Sequence, residues 1–229
     1  VEKVQSGLYT DYKWSREHIA AGGFYPLYLL AEWGLQEQSG MSRSRGAGKG
    51  LTNLQLHIKL DRGVQLITAL GSPLQWVDRD YAVMAVGSLR NDLKRQAILQ
   101  LQLEGRASGQ HSVLQLYWSY RDDYWVQVMT PAVRLHLQFS NHTSVLVPAM
   151  DTKVDKYLRM LQNPLLLERA FKLFERGKAR QGEDLICRRA DEMLLCALRW
   201  NDAELLKEAE WMYALARQWS ETYAVSLQA

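Results

Sequence analysis

Along residues 54–60, apolar and polar positions alternate without a break. Leu54, Leu56, Ile58 and Leu60 fall on one side, and Gln55, His57 and Lys59 on the other. A period of two is that of a half-buried β-strand, whose successive side chains point to opposite faces. The design returns at 133–139, where Val133, Leu135, Leu137 and Phe139 alternate with Arg134, His136 and Gln138. Both copies pair an apolar inner face with an amide, an imidazole and a cation outside, the pattern of a short internal repeat. Residues 111–129 predict two further strands around Arg121, Asp122 and Asp123, a hairpin-like pair.

Other segments read as helical. An amphipathic helix is expected over 15–38, capped by Ser15 and broken or kinked at Pro26. After strand 54–60, a short helix is expected over 64–70, ended by Gly71, Ser72 and Pro73. A longer one follows over 78–100, with Asp78 as N-cap and Met84, Val86, Leu89, Leu93 and Ala97 on its inner face. Beyond the second patterned strand, helices are expected over 153–162, 165–178, 183–200 and 203–224, separated at Asn163-Pro164 and Asn201-Asp202. Residues 39–50, SGMSRSRGAGKG, have no apolar face and read as a flexible segment.

This order predicts an α+β fold in three parts. Residues 1–50 form an N-terminal helical segment and flexible basic arm, 51–180 a strand-helix core, and 181–229 an acidic helical hairpin. Charge sharpens the division. The net charge is only +3, but residues 41–62 carry five basic side chains (Arg43, Arg45, Lys49, Lys59, Arg62) against Asp61 alone. From Glu183 onward, nine acidic residues face five basic ones. Such asymmetry fits a polyanion-facing part and a separate acidic part, or a solvated surface of mixed sign.

At 47% hydrophobic residues over 229 positions, the chain can bury a substantial core. No apolar run reaches the ~18 residues of a membrane span. No secretory pattern opens the chain at Val1, and Cys187 and Cys196 are spaced for neither a zinc pair nor a disulfide. A cytoplasmic protein without membrane attachment is the expectation. Phosphate-cradling loops, HExxH and GxSxG are all absent from the sequence. The five histidines form no pair at helical ligand spacing. No cofactor, no metal and no catalytic residue is therefore assigned. An enzyme would need Asp122, Asp123 or His136 gathered in a pocket.

The outer faces of the two patterned strands admit two readings. One is the solvated face of an ordinary half-buried sheet. The other is a DNA reader, because a two-stranded ribbon fits the major groove and turns alternate side chains toward base edges. On that reading Gln55, His57 and Lys59 contact bases, while Arg43, Arg45, Lys49 and Arg62 hold phosphates. Arg134, His136 and Gln138 form the alternative reading strand. A ribbon needs two strands, which makes a homodimer the expected state.

Three stretches carry a resemblance to a known family. LTNLQLHIKLDRGVQLI (51–67), DYAVMAVGSLRNDL (80–93) and VRLHLQFSN (133–141), the last followed by Asp155, Arg159 and Leu161, resemble motifs of the AcaB-type transcriptional regulators of conjugative plasmids and integrating conjugative elements. The resemblance spans roughly residues 51–165. It implies a ribbon-helix-helix-like DNA-binding core, double-stranded DNA as partner and activation of conjugation genes, while dimerisation and contact with RNA polymerase both stay open for the acidic hairpin. The rival expectation is a non-enzymatic interaction or scaffold protein of a conjugation or secretion apparatus, its acidic hairpin docking a partner.

Overall fold

The structure, a computed structural model, describes residues 7–22, 25–35, 50–90, 94–122, 124–142 and 149–226. It separates into two compact units, Val1–Val154 and Asp155–Ala229. The boundaries expected at 50/51 and 180/181 fall at the start of a strand in the first unit and near the start of a helix in the second.

Among the described residues, the first unit holds eleven strands: β1 (Leu8–Trp14), β2 (His18–Ala20), β3 (Tyr25–Leu35), β4 (Gly50–Leu60), β5 (Val64–Leu70), β6 (Leu74–Asp78), β7 (Tyr81–Arg90), β8 (Arg95–Leu103), β9 (Gly109–Arg121), β10 (Gln127–Met129) and β11 (Val133–Ser140). One sheet has the order β1-β3-β8-β5. The other has the order β2-β11-β9-β4-β7-β6, with β10 also pairing β9. Their inner faces make one hydrophobic core: Leu27, Leu29, Ala31 and Trp33 of β3 and Leu99, Leu101 and Leu103 of β8 join Leu54, Leu56 and Ile58 of β4 and Leu114, Leu116 and Trp118 of β9. Two sheets sharing such a core form a β-sandwich. Trp33 and Trp118 meet between them with ring centroids 5.2 Å apart. Trp118 Nε1 donates to Tyr12 Oη at 2.7 Å, which ties β9 of one sheet to β1 of the other.

This architecture overturns the ribbon-helix-helix expectation. Where the structure describes them, the segments expected as helices over 15–38, 64–70 and 78–100 carry strands instead: β2 and β3 in the first, β5 in the second, β7 and β8 in the third, with Leu93 outside the described residues. In β7, Ala82, Met84 and Val86 are buried while Tyr81, Val83 and Ala85 are not, a period of two. Ala, Met and Leu favour helices in isolation, but pairing on both edges of β7 prevails over that preference. Asp78 does not cap a helix; it closes β6 before the Arg79-Asp80 turn into β7. Nor is β4 half of an intermolecular ribbon, because β9 and β7 flank it within the same chain. The reason for expecting a homodimer goes with it. The two patterned strands, 54–60 and 133–139, are indeed strands, lying within β4 and β11.

The second unit continues α1 (Thr152–Glu175) and adds α2 (Ala179–Trp200) and α3 (Ala203–Ser226). Ala170 and Phe174 of α1, Ile186, Ala190, Met193 and Ala197 of α2, and Leu205, Ala209, Met212 and Ala216 of α3 form its core. The α2–α3 turn is set by Asn201 in the left-handed region (φ 52°) and by the Asp202 carboxylate, which accepts from the Glu204 and Leu205 amides. Asn163-Pro164, expected as a break, lies inside α1. There Asn163 is buried, donating to Glu208 of α3 at 2.9 Å and accepting from Arg189 of α2 at 3.1 Å. Among the described residues, no helix is long and apolar enough to cross a membrane.

Candidate functional site

Register places the outward side chains of the larger sheet in rows. Arg134 of β11 pairs with Gln115 of β9, Gln115 with Lys59 of β4, and Lys59 with Tyr81 of β7. The next row runs Tyr117, His57, Val83, Gln75 across β9, β4, β7 and β6. Ser119 pairs with Gln55 in the row beyond. The fold thus brings Gln55, His57, Lys59 and Arg134 onto one face, although only the first three are near in sequence. Arg62 is exposed at the turn after β4, where its carbonyl accepts from Arg106. Arg43, Arg45 and Lys49 lie outside the described residues.

His57 is bound into its own sheet. Its Nδ1 lies 2.6 Å from Tyr81 Oη and its Nε2 2.7 Å from Ser119 Oγ, while Tyr81 and Tyr117 hydroxyls are 3.0 Å apart. The imidazole stacks on the Tyr117 ring with centroids 4.4 Å apart. Burial lowers the His57 pKa below its ordinary value, since desolvation disfavours the imidazolium. Burial and the Tyr117 hydroxyl push the Tyr81 phenol up to about 12. Ser119 and His57 have the contact of a nucleophile and its base, but Ser119 is only 4% exposed and leaves no room for a substrate.

This geometry corrects the DNA reading. Both nitrogens of His57 are engaged within the sheet, and β4 sits at the middle of a seven-stranded sheet rather than in a free two-stranded ribbon. A major groove about 12 Å wide admits the ribbon and not the sheet.

His136 and Gln138 lie toward the other end of the face. They border a shallow groove of about 320 Å³ lined by Trp14, Glu17, His18, Gln110, His136, Leu137 and Gln138. The groove exists because β2 pairs in parallel with the end of β11, matching His18 to Gln138, while β11 matches Gln138 to Gln110 of β9. Trp14 Nε1 donates to the His136 carbonyl at 3.1 Å. His18 carried no site signal because β2 meets β11 only by pairing across more than a hundred residues, and Gln110 carried none because it lies just ahead of the strand pattern read from residue 111.

The β9–β10 connection is the second notable surface. Asp122, a candidate acid or base from sequence, instead accepts from the Tyr124 and Val126 amides at 2.9 Å each. That turn displays Tyr124 (86% exposed), Trp125 (74%) and Val126 (57%). Trp125 adopts φ 60°, a left-handed conformation that bulky residues rarely take. The apolar run in the sequence was visible, but its exposure was not. Among the described residues, no group of three or more His, Cys, Asp or Glu side chains is arranged to hold a metal.

No family model and no curated protein matches the chain. Solved structures do. A von Willebrand factor type A structure from Catenulispora acidiphila matches with a TM-score of 0.53 at 11% identity, over 71% of this chain and 39% of that one. The VWA2 paralog of ArnB from Sulfolobus acidocaldarius matches with a TM-score of 0.52 at 8% identity, over 95% of this chain and 98% of that one. The chain therefore spans about two-fifths of the first structure and nearly all of the second. At these identities the likeness concerns the fold: a sheet-rich mixed architecture similar to von Willebrand factor A-like structures, in place of a ribbon-helix-helix core. Double-stranded DNA, RNA polymerase and transcriptional activation find no support in either likeness.

Proposed function

We propose that the chain is a non-enzymatic protein-interaction module, docking a partner on the β9–β10 tip and the adjoining strand edge. The observation that carries this reading is Trp125, held 74% exposed at φ 60° on a turn fixed by Asp122. A bulky residue in the left-handed region costs about 1–2 kcal/mol, and such strain gathers at ligand clamps and switch regions. Trp and Tyr are also the residues that dominate binding hot spots, through large area and few rotors.

The edge beside the tip extends the surface. β10 pairs with β9 on one side and with no strand on the other among the described residues. Thr130 continues that pairing through its amide to the Trp118 carbonyl, and Pro131 then interrupts it. Met129 (61% exposed) and Val133 (42%) flank the interruption. An extended segment of a partner can pair with β10 while its apolar pockets receive Trp125 and Tyr124.

A photo-crosslinking amino acid placed at Tyr124 in the native cell tests the reading. A discrete protein adduct is expected, lost when Trp125→Ala is added and retained when Gln75→Ala is added instead. No adduct, or an adduct indifferent to Trp125, would sink it.

A further inference from the structure

We infer that the groove between β2, β11 and β9 is a binding site for a neutral carbohydrate. His18, Gln138 and Gln110 stand in one row across three adjacent strands. All three point away from the core, since their neighbours Ile19, Leu137 and Phe139 belong to it and His111 packs edge-on against Phe139. Strand spacing of about 4.8 Å puts successive side chains one sugar ring's width apart. Glu17 and His136 add a carboxylate and a second imidazole to the rim.

The chemistry of the lining selects the ligand class. Each glutamine offers a carbonyl acceptor and an amide donor, each imidazole a donor and an acceptor, and the carboxylate two acceptor oxygens. Among the described residues, no side-chain hydrogen bond or ion pair occupies Glu17, His18, Gln110, His136 or Gln138. These groups are available to a ligand whose hydroxyls both donate and accept. Trp14 supplies an aromatic surface for the apolar face of a sugar ring, its indole fixed by the bond to the His136 carbonyl.

Other classes fit less well. Among the described residues, neither Lys nor Arg lines the groove, so phosphate and sulfate meet no described cation there, and Glu17 opposes them. An apolar ligand would meet five polar side chains. At about 320 Å³ the groove lies at the small end of ligand sites, the size of a mono- or disaccharide unit.

The test is calorimetric titration of the full chain with cellotetraose, maltotetraose, chitotetraose and mannotetraose. A heparin tetrasaccharide and hexaglycine serve as the anionic and peptide probes. Binding of at least one neutral oligosaccharide with Kd near 1 mM or tighter is expected, as is normal for an open site with few contacts. His18→Ala and Gln138→Ala should each weaken it about ten-fold, the loss of one or two hydrogen bonds. Trp14→Phe, which keeps an aromatic ring in place, should weaken it less than Trp14→Ala. Circular dichroism and thermal midpoint establish that each variant is folded. The inference is overturned if no neutral sugar binds at 10-fold that concentration, if folded His18→Ala and Gln138→Ala variants bind unchanged, or if heparin or hexaglycine binds more tightly. Trp125→Ala should leave sugar binding unaltered, which keeps this site separate from the hairpin tip.

Discussion

The imidazole of His57 lies face to face with the phenol of Tyr117, with centroids 4.4 Å apart and planes within 2° of parallel. Between them, Tyr81 and Ser119 take both ring nitrogens. Both partners are hydroxyls that can donate or accept, and it is burial of the ring that favours the neutral imidazole.

Stability should therefore depend on pH through His57. Its folded pKa is lowered from 6.5, so the unfolded chain binds the proton more readily. The contribution is fully present above pH 6.5 and is lost as pH falls through the lowered folded value. Urea midpoints measured between pH 8 and pH 4.5 should decline across that window. The decline should be smaller in His57→Phe, and an identical decline in both proteins would exclude His57 as the source.

Tyr12→Phe removes the acceptor of the Trp118 indole inside the sandwich. Trp118 is 1% exposed, so its N–H would be left buried without a partner. The expected loss is about 1–3 kcal/mol of unfolding free energy. A loss indistinguishable from zero would mean that another acceptor takes over.

Gly182 lies in the first turn of α2, against the ring of Phe174. A Cβ at that position would stand 2.7 and 2.8 Å from two ring carbons and 3.1 Å from the Ala170 carbonyl. Gly182→Ala should destabilise the helical unit by roughly 1–3 kcal/mol through overpacking, despite alanine's better helix propensity. Adding Phe174→Leu should recover part of the loss, which a double-mutant cycle reads directly.

Arg189 joins α2 to α1 through Asn163, Gln162 and the Arg159 carbonyl, and to Glu192 on its own helix. Arg189→Ala should cost about 2–3 kcal/mol, because buried Asn163 loses a partner and a charge-assisted set is broken. Arg189→Lys should recover little, since an ammonium cannot reproduce the planar fork. Full recovery by lysine would show that charge alone matters.

Trp125→Gly should raise stability by about 1 kcal/mol, because glycine adopts φ 60° without the Cβ clash. Partner crosslinking through Tyr124 should fall at the same time, the trade expected where strain serves binding. A stability drop would place Trp125 among structural residues.

Part of this fold was legible in the sequence. Strict alternation at 54–60 and 133–139 marked β4 and β11, and it named the buried face of β4 and of the Leu137–Phe139 end of β11, whereas Val133, placed on the inner face, is 42% exposed where β11 begins. The helices of the second unit were equally plain, down to the turn at Asn201-Asp202. Residues 64–100 misled because their Ala, Met and Leu positions satisfy a helical period as well as an alternating one. Pro164 misled for another reason: it removes one hydrogen bond of α1, yet Asn163 beside it is held by Arg189 and Glu208 from two other helices.

What the sequence by itself determined was the buried face of β4 and of the Leu137–Phe139 end of β11, and the run of helices after residue 152. Which strands become neighbours was decided by the tertiary structure alone. Gln55, His57 and Lys59 look like one reader in isolation, but β7 and β9 close around them and turn His57 into a structural hydrogen-bonding hub. His18, Gln138 and Gln110 look unrelated until β2 and β9 flank β11. The reason is physical: alternation is a local steric property of the backbone, whereas pairing depends on burying many faces at once. No short stretch of sequence contains that sum.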